Sequence, residues 1–240
     1  MQLNVVYEDK DILICFKPAG VATQTASISS QDMVSLIKNY LAREKKEKSP
    51  YVGVIHRLDQ PVSGLLVFAK NPKAAAVLSK QIKDGTANKD YIACCMGHLE
   101  EKTGELVHYI KKDPITKLAQ LIDENTFSKL HKSNKDESTV YKKAILNYEV
   151  EKELEVISII KVHLQTGRFH QIRAQFSNIG HSLLGDVKYG SQISKELSMK
   201  KRINKIALCA NHLVLKHPIT GKELEFTLDK EYLPQWYANA

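Results

Sequence analysis

A chain of 240 residues with 35 Lys and Arg against 27 Asp and Glu, 43% hydrophobic and 26% charged, has ample apolar material for a core; this excludes disorder, collagen and a coiled coil. The formal net charge of +8 permits a polyanionic partner without demanding one. No stretch reaches the roughly 18 uncharged apolar residues of a membrane span and no leader pattern opens the chain, so a soluble cytoplasmic protein is expected, folded as a single domain over residues 1–240.

In chain order, Val5 and Tyr7, then Ile12, Ile14 and Phe16, alternate around Glu8-Asp9-Lys10 and predict strand, tight turn, strand. Lys17-Pro18-Ala19-Gly20 breaks the pattern. Residues 31–46 predict a helix with Met33, Leu36, Ile37, Tyr40 and Leu41 as its apolar stripe. The unbroken run from Gly64 to Ala69 suits a strand buried on both faces. Asn71-Pro72 supplies a cap and first-turn proline for a helix to about Ile82, ended by Asp84-Gly85.

Strand signals then dominate: Tyr91 to Met96, Glu105 to Ile110, Leu118 to Ile122, and a hairpin of Val140 to Val150 with Leu154 to Leu164 about Glu151-Lys152-Glu153. The polar stretch 123–138 reads as a mobile connection. A helix is predicted from Arg168 to Asn178, stopped by Gly180, and two last strands, Ala207 to Leu215 and Glu223 to Leu228, flank the turn at His217-Pro218-Ile219-Thr220-Gly221. The sum is an α+β fold with a mixed, mainly antiparallel sheet flanked by helices and loops. Cys15, Cys94, Cys95 and Cys209 lack framework spacing and read as reduced structural thiols, with no metal site.

Two places could carry chemistry. In the helix after Gly167, Phe169, Ile172 and Phe176 mark the core-facing side, and Arg173 stands on it. An inward guanidinium keeps its charge and requires a carboxylate, unless it snorkels out at the helix edge. The second place is His56-Arg57-Leu58-Asp59-Gln60-Pro61-Val62-Ser63-Gly64, a polar loop entering the most apolar strand; Asp59 there is a reactive carboxylate or an ordinary turn residue. There is no phosphate-binding glycine-lysine loop, dinucleotide fingerprint, His-Glu-x-x-His pattern or nucleophile elbow.

Lys17-Pro18-Ala19-Gly20, His56-Arg57-Leu58-Asp59 with Ser63-Gly64-Leu65-Leu66-Val67-Phe68-Ala69-Lys70, Lys89-Asp90-Tyr91, and Leu164-Gln165-Thr166-Gly167-Arg168-Phe169-His170-Gln171-Ile172-Arg173 resemble, in order, the motifs of the RluA-type pseudouridine synthases. The resemblance runs from about residue 5 to 228 and implies a pseudouridine synthase fold. It implies isomerisation of uridines in ribosomal or transfer RNA by base flipping and an aspartate-dependent mechanism, with no cofactor. The family's additional N-terminal S4-type domain is not expected here, and Val62 stands where the family loop typically has Thr.

By the same resemblance, Asp59 is the catalytic carboxylate, Tyr91 the active-site tyrosine and Arg173 the partner of Asp59. Arg57, His56, Arg168, Lys17 and His170 are implied at the RNA. By pattern alone Tyr91 reads as a strand tyrosine with an outward hydroxyl. The stretch Lys188 to Lys205, six cations against one anion, is a backbone-tracking surface or a solvated loop. The partner expected is RNA, with no membrane and no obligatory protein partner, and the state a monomer. A catalytically silent RNA-binding or ribosome-assembly factor on the same fold is the alternative, and a carbohydrate-active enzyme a remoter one, since such enzymes use a pair of carboxylates.

Overall fold

The computed structural model describes residues 2–25 and 30–238. β1 (Asn4–Glu8) and β2 (Ile12–Lys17) form the predicted hairpin, whose turn is set by Asp9: its Oδ1 accepts from the N–H groups of Asp11 and Ile12, both at 2.8 Å. α1 (Met33–Glu44) starts at Asp32, which accepts from Ser35 N–H while Ser35 Oγ accepts from Asp32 N–H, a reciprocal cap. The two-residue β3 (Gly53–Val54) precedes β4 (Ser63–Ala69), buried along its whole length as its apolar run predicts. α2 (Pro72–Asp84) is capped by Asn71 and ends at Gly85, whose φ of +70° favours glycine.

Next come β5 (Asn88–Met96), β6 (Thr103–Lys112), β7 (Ala119–Ile122), α3 (Glu124–Ser133), α4 (Lys135–Ser138), β8 (Lys142–Leu154) and β9 (Ile157–Leu164). They are followed by α5 (Gln171–Asn178), α6 (Gln192–Lys200), β10 (Leu208–Lys216), β11 (Glu223–Thr227) and α7 (Gln235–Ala238). No helix among the described residues is long and apolar enough to cross a membrane. All four cysteines are buried and free.

The chain divides into two compact units, one of residues up to Lys89 with Cys209–Leu233, the other of Asp90–Leu208 with Pro234 onward. In the first, β2 lies antiparallel to β1 and β4, while β10 pairs antiparallel with β11 and parallel with the start of β4. That parallel approach requires Gly64: a Cβ there would sit 2.3 Å from the Ala210 carbonyl oxygen, and its φ of +134° suits only glycine. The core of this unit includes Ile12–Cys15 and Leu65–Ala69 of the strands, Leu36, Ile37 and Leu41 of α1 and Leu78 of α2, all buried.

In the second unit β5, β9, β8, β6 and β7 pair antiparallel in that order. Cys94, Ile157, Ile159, Leu184 and Ala207 form one part of its core; Ile110, Ala119, Ala144 and Ala174, with Phe169 and Tyr189 against them, form another. The architecture is thus the expected α+β one, its strands mixed in direction but mainly antiparallel.

Local expectations change in four places. Residues 123–138, read as a mobile connection, fold into α3 and α4: Asp123 caps α3 by accepting from Thr126 N–H at 2.6 Å, and Phe127 stacks on Tyr109 with centroids 3.8 Å apart. β8 continues through Glu151–Glu153 over a bulge at Val150–Lys152, so the hairpin turns at Glu155, where φ is +30°. The helix expected from Arg168 starts at Gln171, because His170 takes φ +53°. Within Lys188–Lys205, α6 forms with buried serines, Ser194 and Ser198, in place of an apolar stripe.

Candidate active site

In the first unit, the loop that carries Asp59 is fastened at the residues on either side of it. Thr23 Oγ1 donates to the Leu58 carbonyl at 3.0 Å and accepts from Leu58 N–H at 3.2 Å. On the other side, the Gln60 carbonyl accepts from Gly20 N–H at 2.8 Å and from Lys17 Nζ at 3.0 Å, and Gln60 Nε2 donates to the Gly20 carbonyl. Val62 N–H closes the turn onto the Asp59 carbonyl at 3.0 Å. Asp59 is left half-buried at the head of β4, with Val62 buried behind it. A valine therefore suits this position in the core, although the hydroxyl of a threonine is missing.

Lys17, implied at the RNA by resemblance, is placed elsewhere. It is 0% exposed, the last residue of β2, and its ammonium donates to the carbonyls of Pro18 (3.2 Å), Val21 (2.6 Å) and Gln60. Three acceptors match the three hydrogens of an ammonium. Burial pushes its pKa down to about 8 while the charge of Asp59 pushes it back up, so it stays cationic at neutral pH. A fully buried cation meets no phosphate directly; this one acts as a positioning residue for the loop.

Arg57 is exposed and His56 half-buried. Burial, then the nearby charge of Lys89, pushes the His56 imidazole down to about 3, so it is neutral and its Nε2 accepts from Val67 N–H at 3.4 Å. It offers an RNA no charge. A cluster of Asp9, Asp11 and His217 has candidate ligand atoms within 4.8 Å of one another. However, His217 Nδ1 accepts from Ile219 and Thr220 N–H, which puts the proton on Nε2, and Nε2 points it at Asp9 Oδ2 at 2.8 Å. That ring has no lone pair to give a cation.

In the second unit, Tyr91 is buried on β5 opposite Val162 of β9. Arg173 is 3% exposed, inward as the helix reading required, although Gln171 through Phe176 are all buried and α5 has no polar face there. Its Nε and Nη2 donate to Oδ2 and Oδ1 of Asp186, both at 2.8 Å, a two-pronged pair with no exposed carboxylate surface. Burial raises the Asp186 carboxyl, but Arg173 and the N–H groups of Tyr189 and Lys188 outweigh it and hold the pKa below the ordinary carboxylate range. Tyr189 also lies against the guanidinium, 5.1 Å from ring centroid to Cζ.

Sequence reasoning assigned Arg173 only Asp59 and overlooked Asp186. The available signal was Gly185-Asp186 after Leu183-Leu184, a polar turn on a buried run. It likewise overlooked Thr23, a hydroxyl in a loop. Arg168 is exposed, with Nε donating to the Lys143 carbonyl at 2.8 Å. His170 is half-buried, stacked on Phe169, and its Nδ1 shares a hydrogen bond of 2.8 Å with the hydroxyl of Tyr189, whose oxygen accepts from Ala119 N–H.

Comparison with known proteins finds relatives over nearly the whole chain. Residues 11–178 match the family described as RNA pseudouridylate synthase. The chain is 31% identical over 229 residues to ribosomal large subunit pseudouridine synthase D of Zymomonas mobilis, covering 93% of this chain and 68% of that protein. It is 28% identical over 239 residues to tRNA pseudouridine synthase C of Haemophilus ducreyi, covering 97% and 93%. Among solved structures, human RNA pseudouridylate synthase domain containing 4 superposes with a TM-score of 0.75 at 18% identity over 98% of this chain and 90% of that one, a shared fold.

Proposed function

Because this chain belongs to the RNA pseudouridylate synthase family, we propose that it isomerises particular uridines of ribosomal or transfer RNA, with Asp59 in the central chemical role. The observation that carries the assignment is the half-buried Asp59 carboxylate on a loop fixed at Leu58 and Gln60, two residues after an exposed Arg57. A carboxylate that must meet one atom of a sugar or base gains from a support that does not reorganise.

The reaction breaks the N1–C1′ bond, turns the uracil and joins C5 to C1′. Atoms and electrons balance without a cofactor. A uridine in folded RNA must first leave its stack, and Arg57 is suited to fill the space it vacates. By the motif match, Tyr91 and Arg173 serve the same reaction, Tyr91 through its ring and phenol and Arg173 through its fixed charge. Arg168 and His170 belong to RNA binding. The two units function as one catalytic domain, a cytoplasmic monomer without an obligatory protein partner.

The test uses ribosomal and transfer RNA, separately, from a strain lacking the enzyme, with pseudouridine mapped by carbodiimide primer extension after incubation with the protein. Wild type is expected to modify discrete uridines, and Asp59→Asn to lose about a thousandfold or more in turnover with RNA affinity within a factor of three. Unmodified RNA from every source, with folded protein, refutes the proposal. Modification by Asp59→Asn at wild-type rates refutes the role of Asp59.

A further inference from the structure

The second unit holds cations that neither the motifs nor the comparisons assign. Ile110 of β6 pairs with Lys142 of β8, and side chains alternate along a strand, so Lys112, Ile110, Lys142 and Ala144 stand on one face of the ladder. On that face Ile110 and Ala144 enter the core with Ala174 of α5, against Phe169 and Tyr189. Lys112 and Lys142 lie where this face emerges into solvent, and both are exposed. The Lys112 ammonium is 4.8 Å from the centroid of Phe169, whose ring stacks on His170 at 3.8 Å.

Among the described residues, neither Lys112 nor Lys142 has a carboxylate within ion-pair distance, whereas Lys143, on the opposite face, has Glu124 at 3.9 Å. A face that only needed solvation would gain from mixed charge. This one leaves its cations without counter-charge, with Lys112 held over the ring of Phe169, an arrangement suited to holding phosphates. Exposed Arg168, anchored through Nε to the Lys143 carbonyl, adds a third cation whose Nη groups are uncommitted among the described residues.

We propose that Lys112, over the Phe169 ring, and Lys142, on the same face of the ladder, form a phosphate-tracking surface for the substrate RNA. The proposal rests on the reading of the chain as an RNA-modifying enzyme. It places backbone contacts on the β6–β8 ladder in addition to any made by Lys188–Lys205.

The experiment compares wild type, Lys112→Gln/Lys142→Gln, and a control that removes the same charge from exposed positions of the first unit, Lys83→Gln/Lys222→Gln. RNA affinity is measured against salt by fluorescence anisotropy, and KM and kcat for pseudouridine formation are measured in parallel. Loss of two contacts to unpaired RNA should flatten the slope of log K against log[salt] by about 1.4 and raise KM about tenfold at physiological salt, with kcat within about twofold. The control should change the slope by less than about half as much. An unchanged slope and KM, equal losses in the control, or a wild type that binds no RNA overturns the surface. A wild type that binds with the predicted slope difference and forms no pseudouridine leaves the surface standing and refutes the activity.

Discussion

Asp59 and Arg173 are both charges that a folded chain must hold still, and the two units do so by opposite means. Arg173 is gripped through its own charge: the buried carboxylate of Asp186 takes two prongs of the guanidinium and is itself fixed by the N–H groups of Lys188 and Tyr189. Asp59 is placed through its neighbours' backbone, with Thr23 on Leu58 and Lys17 and Gly20 on Gln60. The first grip depends on the ionisation of a partner side chain, whereas the second depends on peptide groups and, on one side, on the Lys17 ammonium.

The sharpest break in this comparison is Asp186→Asn, which leaves the buried Arg173 short of its counter-charge. Urea unfolding should show a loss of roughly 4 kcal/mol, and Asp186→Leu with Arg173→Met should recover a good part of it, since removing both charges also removes their desolvation. If the single variant unfolds at the wild-type midpoint, the pair is not what holds α5.

Next in size is the pH dependence of Lys17. Its folded pKa of about 8 lies below the ordinary 10.5, so between those values the unfolded chain binds more protons and stability rises with pH. Measured as wild type minus Lys17→Met, the stability difference should climb by up to roughly 3 kcal/mol between pH 8 and 10.5. In an Asp59→Asn background the climb should begin at lower pH, because the charge that supports the ammonium is gone. A flat difference would mean that the three carbonyls fully replace water around the ammonium. The smallest effect belongs to Thr23→Val, which removes both bonds to Leu58 and should cost about 1–2 kcal/mol, with turnover falling more than RNA affinity.

The same contrast explains what could be read from sequence. β4 was legible because its consecutive buried positions from Gly64 to Ala69 leave an unbroken apolar run, and α2 because Asn71-Pro72 and Gly85 mark both its ends. The inward Arg173 was anticipated from Phe169, Ile172 and Phe176, yet Phe169 lies outside α5 and the helix is buried all round from Gln171 to Phe176; the outcome held while its premise did not. α3 escaped notice because one aromatic, Phe127, anchors an otherwise polar helix. Lys17 and Thr23 act through carbonyls and amides brought near by tertiary folding, and backbone partners leave no mark in residue type. Lysine is normally a surface residue, so its complete burial here was beyond periodicity to predict.

The pairing of β4 with β10 also sets an order of events during synthesis. Ser63 and Gly64, where the Asp59 loop enters its strand, are partnered by Cys209 and Ala210, some 145 residues later in the chain. Until that late segment leaves the ribosome, this edge has no neighbour, and the first unit waits for the whole of the second to be made. Contacts so distant in sequence close slowly, because a long loop must be ordered before they reward it. A chain terminated before Cys209 therefore has Asp59 and the loop fastenings from Lys17, Gly20 and Thr23, but no β10 beside the start of the strand that follows. Completion of the strand that carries the Asp59 loop is in effect a check that translation has passed Ala210.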